Sequence, residues 1–215
     1  MKRREAVVGW VVALILVGVP STGQNLVANG EFDVNADGWG LLADGSFEWV
    51  AEDRDNCAAS GASELTNGML APGEAPVQVC VIGLVEGQSY SFGADVRFAS
   101  GQSVAGSARV QLYFYSDSNC LSSSIGPAFS PPIASDTTDT WLRTENLDAI
   151  APPTTESALL VVFLQKDGAD SFVARFDRIF LVPGEGRLFA DGFEAGATCR
   201  WSAENPLLVE DGRTE

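Results

Sequence analysis

The 215-residue chain contains no histidine and only four cysteines. Without an imidazole, neither a Ser-His-Asp nor a Cys-His nucleophilic centre can be built. No CxxC pair occurs, so a zinc site would have neither imidazoles nor closely spaced thiols. Phosphate-binding glycine loops and nucleotide motifs are also missing, and the glycine-rich segments are typical of turns. The sequence therefore argues against most enzyme classes.

Positive charge is scarce as well. The chain has 13 Lys and Arg against 29 Asp and Glu, a formal net charge of −16. Loss of the N-terminal leader described below would leave Lys166 as the only lysine. So acidic a surface repels phosphate backbones and anionic membranes, which excludes nucleic acid as a partner. We interpret the charge as a solubility feature.

The N-terminus has the pattern of an export signal. Basic Lys2–Arg4 precede the uncharged run Ala6–Val19, and small residues follow at Ser21 and Gly23. The apolar run is shorter than the ~20 residues that a membrane-spanning helix needs. We expect residues 1–23 to be a signal peptide, the protein to be secreted or on the cell surface, and no membrane span to remain after cleavage.

The rest of the chain reads as short β-rich runs between clusters of Gly, Pro, Asn, Asp and Ser. This pattern predicts one all-β domain over residues 24–183, built as a sandwich of two antiparallel sheets. The predicted strands are Phe47–Ala51, Ala62–Asn67, Val77–Leu84, Tyr90–Phe98, Ala108–Tyr115, Trp141–Ile150, Ser157–Gln165 and Phe172–Val182.

Two of these runs alternate clearly between apolar and polar residues. In Tyr90–Phe98 and in Ala108–Tyr115, every second side chain is apolar, which predicts one buried face and one solvent-facing face for each strand. The intervening Gly101–Ser107 is interpreted as a loop that joins two strands of one sheet.

The polar faces of these two strands form the predicted ligand site. Flat rings can cover the apolar faces of sugars, while Asp, Arg and Gln side chains bond to hydroxyls. Polar cross-strand pairs such as Asp95 with Arg109 would equally stabilise any solvent-facing sheet, which is the alternative. The predicted site residues are Asp95, Arg97, Arg109, Gln111, Tyr113 and Tyr115. Further candidates for a sugar platform are Trp39, Trp49 and Trp141, although Trp39 is also expected in the core.

The stretch FDVNADGWGLLAD (Phe32–Asp44) matches part of a calcium-loop pattern, with Asp, Asn and Gly at the spacing of such loops. A helix–loop–helix site needs helices on both sides, whereas the following GSFEWV is strand-like. The stretch is therefore interpreted as an Asp/Asn/Gly turn.

Several motifs together resemble carbohydrate-binding modules of families 4 and 9. They are the opening NLVANGEFDVNADGW, then SGASELTN, VIGLVEGQSYSFGADV and the closing ARFDRIFLV, from about Asn25 to Val182. The resemblance implies a jelly-roll β-sandwich with a concave sheet that commonly binds polysaccharide. The stretches YSDSNC and VQVCV depart from the general pattern, which would suit a divergent, disulfide-bearing branch.

The resemblance also implies a structural calcium ion between the first and last strands. The matching acids are Asp33 of GEFD and Asp177 of RFDRIF. Hard oxygen ligands suit calcium. Two ordinary edge carboxylates are the alternative.

Four cysteines in an exported chain allow three disulfide pairings. Cys120 follows the run Ala108–Tyr115, whose expected hairpin partner begins at Tyr90. That geometry favours Cys80–Cys120, which leaves Cys57 to pair with Cys199.

Residues 184–215 are predicted to be a linker and a short C-terminal motif. The segment LFADGFEAGATCRWS is similar to a motif found on secreted bacterial proteins.

The sequence thus favours a non-catalytic, exported module that binds polysaccharide through one sheet. A surface or matrix protein-interaction module on the same sandwich is the second hypothesis. A glycan-cleaving enzyme is the third, because paired carboxylates can hydrolyse glycosides.

Overall fold

A computed structural model describes residues 24–57 and 60–184, which form strands, turns and loops. The predicted signal peptide and the C-terminal motif lie outside the described residues. The strands are β1 (Gly40–Leu41), β2 (Gly45–Val50), β3 (Ala62–Asn67), β4 (Gly73–Ile82), β5 (Ser89–Phe98), β6 (Gly106–Tyr115), β7 (Ser124–Phe129), β8 (Ile133–Ala134), β9 (Leu142–Ile150), β10 (Ser157–Lys166) and β11 (Phe172–Pro183).

The strands form two antiparallel sheets. Sheet A has the order β1-β4-β10-β6-β7, with β8 also paired to β6, and sheet B has the order β2-β3-β11-β5-β9. Sequential strands are mostly not neighbours, as expected when the chain crosses repeatedly between sheets. The predicted all-β jelly-roll sandwich is confirmed.

The core lies between the inner faces of the two sheets. From β5, the inward side chains from Tyr90 to Phe98 are at most 1% exposed, and from β6 those from Ala108 to Phe114 are at most 2% exposed. Leu160, Val162 and Leu164 of β10 complete the central layer, at 0% each. The predicted inward faces are therefore confirmed, but the predicted solvent-facing side of β5 is wrong, because Ser91 and Asp95 on that side are 0% and 2% exposed.

The predicted pairing of β5 with β6 is wrong. Strand β5 pairs with β9 and β11 in sheet B, whereas β6 pairs with β10, β7 and β8 in sheet A. The connecting residues 99–105 cross from one sheet to the other, a distance of about 10 Å that seven residues easily span. Alternation in the sequence defines two faces of each strand, but it does not say which sheet the strand joins.

The opening segment lies against the end of β11. Asn25 Nδ2 donates to Ile179 O at 3.0 Å, and Leu26 N donates to Leu181 O at 2.8 Å. A Cβ on Gly30 would stand 2.0 Å from Ile179 O, so this close approach requires glycine. The Asn-Gly element of the opening motif thus has a packing role.

Residues 29–37 form the predicted turn. The Asn29 side-chain amide donates to Asn35 O (3.1 Å) and to Asp37 O (3.0 Å), while Asp37 N donates to Asn35 Oδ1 at 3.1 Å. The short strand β1 follows, and no helix flanks the turn within residues 24–57. The turn interpretation is confirmed, and the helical calcium-sensor alternative is excluded.

The disulfide Cys80–Cys120 is present, with Cα atoms 6.1 Å apart. The pairing was predicted correctly but for the wrong reason, because β5 and β6 do not form a hairpin. Instead β4 and β6 are the two neighbours of β10 in sheet A. Cys57 is also disulfide-bonded. Its predicted partner Cys199 lies outside the described residues, so that pairing stays a prediction.

Candidate functional site

The six predicted ligand residues do not form one surface. Asp95 and Arg97 lie on β5 and point outward from sheet B, whereas Arg109, Gln111, Tyr113 and Tyr115 lie on β6 and point outward from sheet A. The two groups are therefore on opposite sides of the sandwich. The expected cross-strand pair of Asp95 with Arg109 does not exist, because their strands belong to different sheets.

On sheet B, Asp95 is committed to structural ion pairs. Its carboxylate is 2% exposed and accepts from Arg143 Nε at 2.8 Å and from Arg143 Nη2 at 3.0 Å. Arg54 Nε approaches the same carboxylate at 2.8 Å. A buried carboxylate with two arginine partners has little capacity left for a ligand. The prediction that Asp95 binds a ligand is therefore not supported by its surroundings.

The other predicted residue of this face, Arg97, is engaged in the same way. Arg97 and Arg175 lie opposite each other on β5 and β11, and both form ion pairs with Glu52. Because Glu52 and Arg54 belong to the segment after β2, that segment folds over the outer side of sheet B. Ion pairs and the segment after β2 thus cover the centre of the outer face of sheet B, on β5 and β11.

The outer face of sheet A has a different character. It presents rings, amides and aliphatic side chains, and its charges are the cation Arg109 and the anion Glu74. Its side chains, from strand to strand, are Glu74, Pro76, Gln78, Cys80 and Ile82 of β4; Leu159, Val161, Phe163 and Gln165 of β10; Ser107, Arg109, Gln111, Tyr113 and Tyr115 of β6; and Pro127 and Phe129 of β7.

A polar network organises the centre of this face. The guanidinium carbon of Arg109 lies 4.7 Å above the centroid of the Phe163 ring, and Nη2 is 2.8 Å from Glu74 Oε1. With the Gln111 amide oriented to satisfy its neighbours, its oxygen accepts from Arg109 Nε at 2.6 Å and its nitrogen donates to the Tyr113 hydroxyl. The network holds flat and hydrogen-bonding groups in fixed positions, as sugar recognition requires.

The floor of the face runs across the strands. Gly40, Gln78, Val161, Gln111 and Phe129 occupy one register row over five strands. Four inter-strand spacings give a length of about 19 Å, which accommodates a short oligosaccharide. Val161 and Gln111 are 3% and 4% exposed and form the floor, whereas Phe129 at the edge is 51% exposed.

At the β1 edge the face continues into an open groove of about 680 Å³. Leu41, Leu42, Asp44 and Met69 line it together with Glu74 and Pro76. The sequence did not predict that Glu74, Phe163 and Phe129 lie on this face. The alternation of Phe163 with buried Val162 and Leu164 was a usable signal for its outward position.

The β6–β7 loop (residues 116–123) borders the face at one end. Cys80 points outward from β4, and β4 and β6 are two strand spacings apart, so the disulfide draws this loop back over β10. Ser157 Oγ of β10 donates to Asp117 O, and Cys120 Sγ lies 3.4 Å from Ser157 Oγ. The loop therefore stands as a wall beside Tyr115.

Two groups at this end of the face, Asp117 and Tyr115, have shifted pKa values. Desolvation acts to raise the pKa of Asp117, but hydrogen bonds donated by Ser122, Asn119 and Leu121 outweigh it and lower that pKa. The pKa of Tyr115 is raised by burial and by Tyr113 and Asp117. Tyr115 thus stays a neutral phenol, able to donate and accept.

None of the three described tryptophans lies on a strand of this face, and Trp141 directly precedes β9 of sheet B. Trp39 packs against Phe32 and Phe47 at the core and donates Nε1 to Asn29 O at 3.3 Å. Trp49, on β2 of sheet B, donates Nε1 to Phe32 O at 2.7 Å. The prediction that Trp39 is a core residue is confirmed, and neither Trp39 nor Trp49 belongs to a platform on sheet A.

The two acids predicted to bind calcium border the segment between β2 and β3. Asp33 accepts from Ser60 Oγ at 3.1 Å. Asp177 is 0% exposed and accepts from Arg178 N at 2.7 Å and from Arg54 N at 3.1 Å. Burial, a hydrogen bond with Asp53 and the charge of Glu31 raise the pKa of Asp177 to about 8, against these two backbone donors.

These carboxylates provide the hard oxygen donors that calcium prefers. Over the described parts of the chain, no three His, Cys, Asp or Glu side chains are arranged together to hold a metal ion. A calcium ion at Asp177 would therefore need backbone carbonyls or water among its ligands. The donor chemistry fits calcium, and the number of side-chain donors is small.

Proteins similar to this chain were found only by comparison of three-dimensional structures, and those similarities support the fold. The sequence matches no family model and no curated protein. The xylan-binding domain of carbohydrate-binding module family 22 superposes with a TM-score of 0.54 at 12% identity, over 77% of this chain and 98% of that domain.

Two further solved structures are similar. One, from work on the promiscuous specificity of β-sandwich carbohydrate-binding modules, gives a TM-score of 0.53 at 15% identity over 75% of this chain. The other, the enzymatically active domain of bacteriophage CBA120 tailspike protein 4, gives 0.55 at 13% identity over 74% of this chain. The chain spans 63% of the first protein and 21% of the second.

These likenesses define the protein as a β-sandwich of the kind found among carbohydrate-binding modules. Between residues 24 and 184, with 58–59 left aside, no helix is long and apolar enough to cross a membrane.

Proposed function

We propose that the outer face of sheet A binds a polysaccharide chain and that the protein is a secreted, non-catalytic carbohydrate-binding module. The observation that carries the proposal is the contrast between the two outer faces. Ion pairs and the segment after β2 occupy the centre of the face of sheet B, while sheet A leaves Tyr113 and Phe129 accessible beside amide side chains. The fold shared with a xylan-binding domain supports the same conclusion.

The chemistry of the face suits pyranose rings. Tyr113, Tyr115 and Phe129 offer flat surfaces for apolar C–H groups, and Gln78 and Gln165 can each donate to and accept from hydroxyls. Val161 and Gln111 close the floor, so a bound chain would lie across the strands with its outer side in solvent. In this proposal the face binds the sugar chain and does not cleave it.

The opening and closing motifs that resemble families 4 and 9 remain part of this proposal. The segments that carry these motifs, the opening segment and β11, lie side by side, and β11 contains Asp177. We include a structural calcium ion held by Asp177 and Asp33 together with backbone carbonyls or water, because a buried carboxylate is stabilised by a bound cation.

Tyr113→Ala tests the sugar site. Loss of one aromatic contact should reduce polysaccharide affinity by about 0.5–1.5 kcal/mol, and the melting temperature should hardly change because the ring lies on the outer face. A glycan array on residues 24–183 identifies the ligand, and isothermal titration then measures the affinity of each variant.

Two variants serve as controls for this measurement. Tyr113→Phe keeps the ring and should retain most of the affinity. Ile150→Ala removes a side chain that is 62% exposed on β9 of sheet B and should leave binding unchanged. Binding that survives Tyr113→Ala but is lost in Ile150→Ala would place the site on the other sheet. A blank array would favour a protein-interaction module, and release of sugars from the bound glycan would indicate an enzyme.

A further inference from the structure

The Arg109–Glu74 pair lies on the proposed binding face, beside the floor row and towards the start of β4. Glu74 comes from β4 and Arg109 from β6, and Phe163 of the intervening β10 lies beneath the guanidinium. Glu74 also lines the open groove at the β1 edge. A ligand that extends from the face into this groove would therefore contact Glu74, the anionic member of the pair.

Within this pair, Arg109 has few N–H groups left to bind an anionic ligand. Two of the three guanidinium nitrogens, Nε and Nη2, contact Gln111 Oε1 at 2.6 and 3.0 Å, and Nη2 also contacts Glu74 Oε1 at 2.8 Å. Arginine normally recognises a carboxylate through two parallel N–H···O bonds. Here Glu74 supplies the carboxylate within the protein itself.

We propose that Glu74 is a specificity-determining residue that makes the site select uncharged glycans and reject those that carry carboxylates. This inference rests on the proposed sugar-binding function. An incoming uronate would compete with Glu74 for Arg109 and would be repelled by it. The formal net charge of −16 adds repulsion from the rest of the molecule.

Glu74→Gln provides the test, because it removes the charge and keeps the size of the side chain. The probes are mixed-linkage β-glucan, galactan and xylan, each beside an acidic counterpart of the same backbone. The counterparts are the C6-oxidised forms of the first two and glucuronoxylan for the third. Binding is measured at low and at moderate salt concentration.

The wild type should bind a neutral polysaccharide and bind its acidic counterpart at least about tenfold more weakly. In Glu74→Gln the affinity for the acidic form should rise about tenfold, the scale of one charge-assisted hydrogen bond, and this gain should shrink with salt. Affinity for the neutral form should change by less than about twofold, since the hydrogen-bonding shape is kept. Glu74→Ala should show the same gain for the acidic form.

Glu48→Gln is the matched control. Glu48 is exposed on β2 of sheet B, so the substitution changes the net charge equally on the opposite side of the sandwich. A gain for acidic glycans of the same size in both variants would overturn the role of Glu74, as would a wild type that binds acidic and neutral forms equally. If none of the proteins binds any glycan, the sugar-binding function is itself wrong and the inference falls with it.

Discussion

At the scale of single residues, Asp177 is a buried carboxyl whose protonation affects folding. It lies wholly buried on β11, and its carboxyl has a pKa of about 8 against an ordinary value of 3.8. Burial is the largest cause of the raised pKa, and a side-chain hydrogen bond with Asp53 raises it further. Asp177 therefore links folding to pH.

The calcium-free protein should lose stability as the pH rises from 4 to 8. Between those values the folded state keeps the Asp177 proton and the unfolded chain has lost it, so folding binds a proton. The stabilisation is complete below about pH 4, and each pH unit above that removes at most about 1.4 kcal/mol. Thermal melts in a chelator at pH 5, 6, 7 and 8 measure the slope.

Calcium should reverse this loss at pH 8 and have little effect at pH 5, because the ion binds the ionised carboxylates and only the folded state. Asp177→Asn, which imitates the protonated acid, should abolish both the pH slope and the response to calcium. Asp136→Asn, a change at an exposed carboxylate, should preserve both. A wild type with the same melting curve in calcium and in chelator at pH 8 would exclude the calcium site.

At the scale of structural elements, the β6–β7 loop (residues 116–123) depends on a covalent link. Its neighbours β6 and β7 lie on one side of β10, whereas Cys80 lies on β4 on the other side. The Cys80–Cys120 bond therefore holds the loop over β10 and shapes one wall of the binding face. Hydrogen bonds to the Asp117 carboxylate give the loop its internal shape.

Replacement of both cysteines by serine should lower the free energy of unfolding by about 4 kcal/mol, the chain-entropy value for a closed loop of this size. The sequence separation across the bond is 40 residues. The loop should also become accessible to proteases while the sheets remain folded, since it would lose its connection to β4. Urea denaturation and limited proteolysis measure the two effects.

Ser118→Ala is the control for this experiment, because Ser118 is an exposed residue of the same loop. It should match the wild type in both assays. Peptide mapping without reduction gives an independent check, in which a Cys57–Cys80 peptide would contradict the pairing. Equal stability of the double variant and the wild type would show that the bond does not contribute to folding.

At the scale of the whole molecule, acidic residues outnumber basic ones by more than two to one. Arginines are concentrated on the outer side of sheet B, where Arg54, Arg97, Arg143 and Arg175 pair with nearby acids. Most of the remaining surface charge is negative. Self-repulsion of this charge opposes compaction, while the partly buried pairs are less sensitive to salt.

The melting temperature should therefore rise by a few degrees when NaCl is increased from about 0.01 M to 0.1 M, which shortens the screening length from about 30 Å to 10 Å. Near pH 4.2, the isoelectric point of the sequence, the rise should disappear. Differential scanning calorimetry at pH 7.5 and at pH 4.2 makes the comparison. A fall in melting temperature with salt at pH 7.5 would mean that the ion pairs of sheet B outweigh the repulsion.

Some properties of this protein follow from its sequence alone. Strict alternation in Tyr90–Phe98 and in Ala108–Tyr115 identifies buried and outward side chains, because the pleat of a strand imposes a period of two. The density of turn residues predicts short strands, and the absence of histidine excludes the triad chemistries. These properties depend on neighbours in the chain, so they can be read without knowledge of the fold.

Only the tertiary structure determined which strands share an outward face. The crossing of residues 99–105 places Asp95 and Arg109 on opposite sides of the sandwich, and local sequence does not distinguish such a crossing from a hairpin. The segment after β2 covers sheet B through Arg54, and Glu74 meets Arg109 across β10 from 35 positions earlier in the chain. Contacts at such separations form when the strands assemble into sheets. The sequence pattern of one strand does not identify the strands with which it pairs.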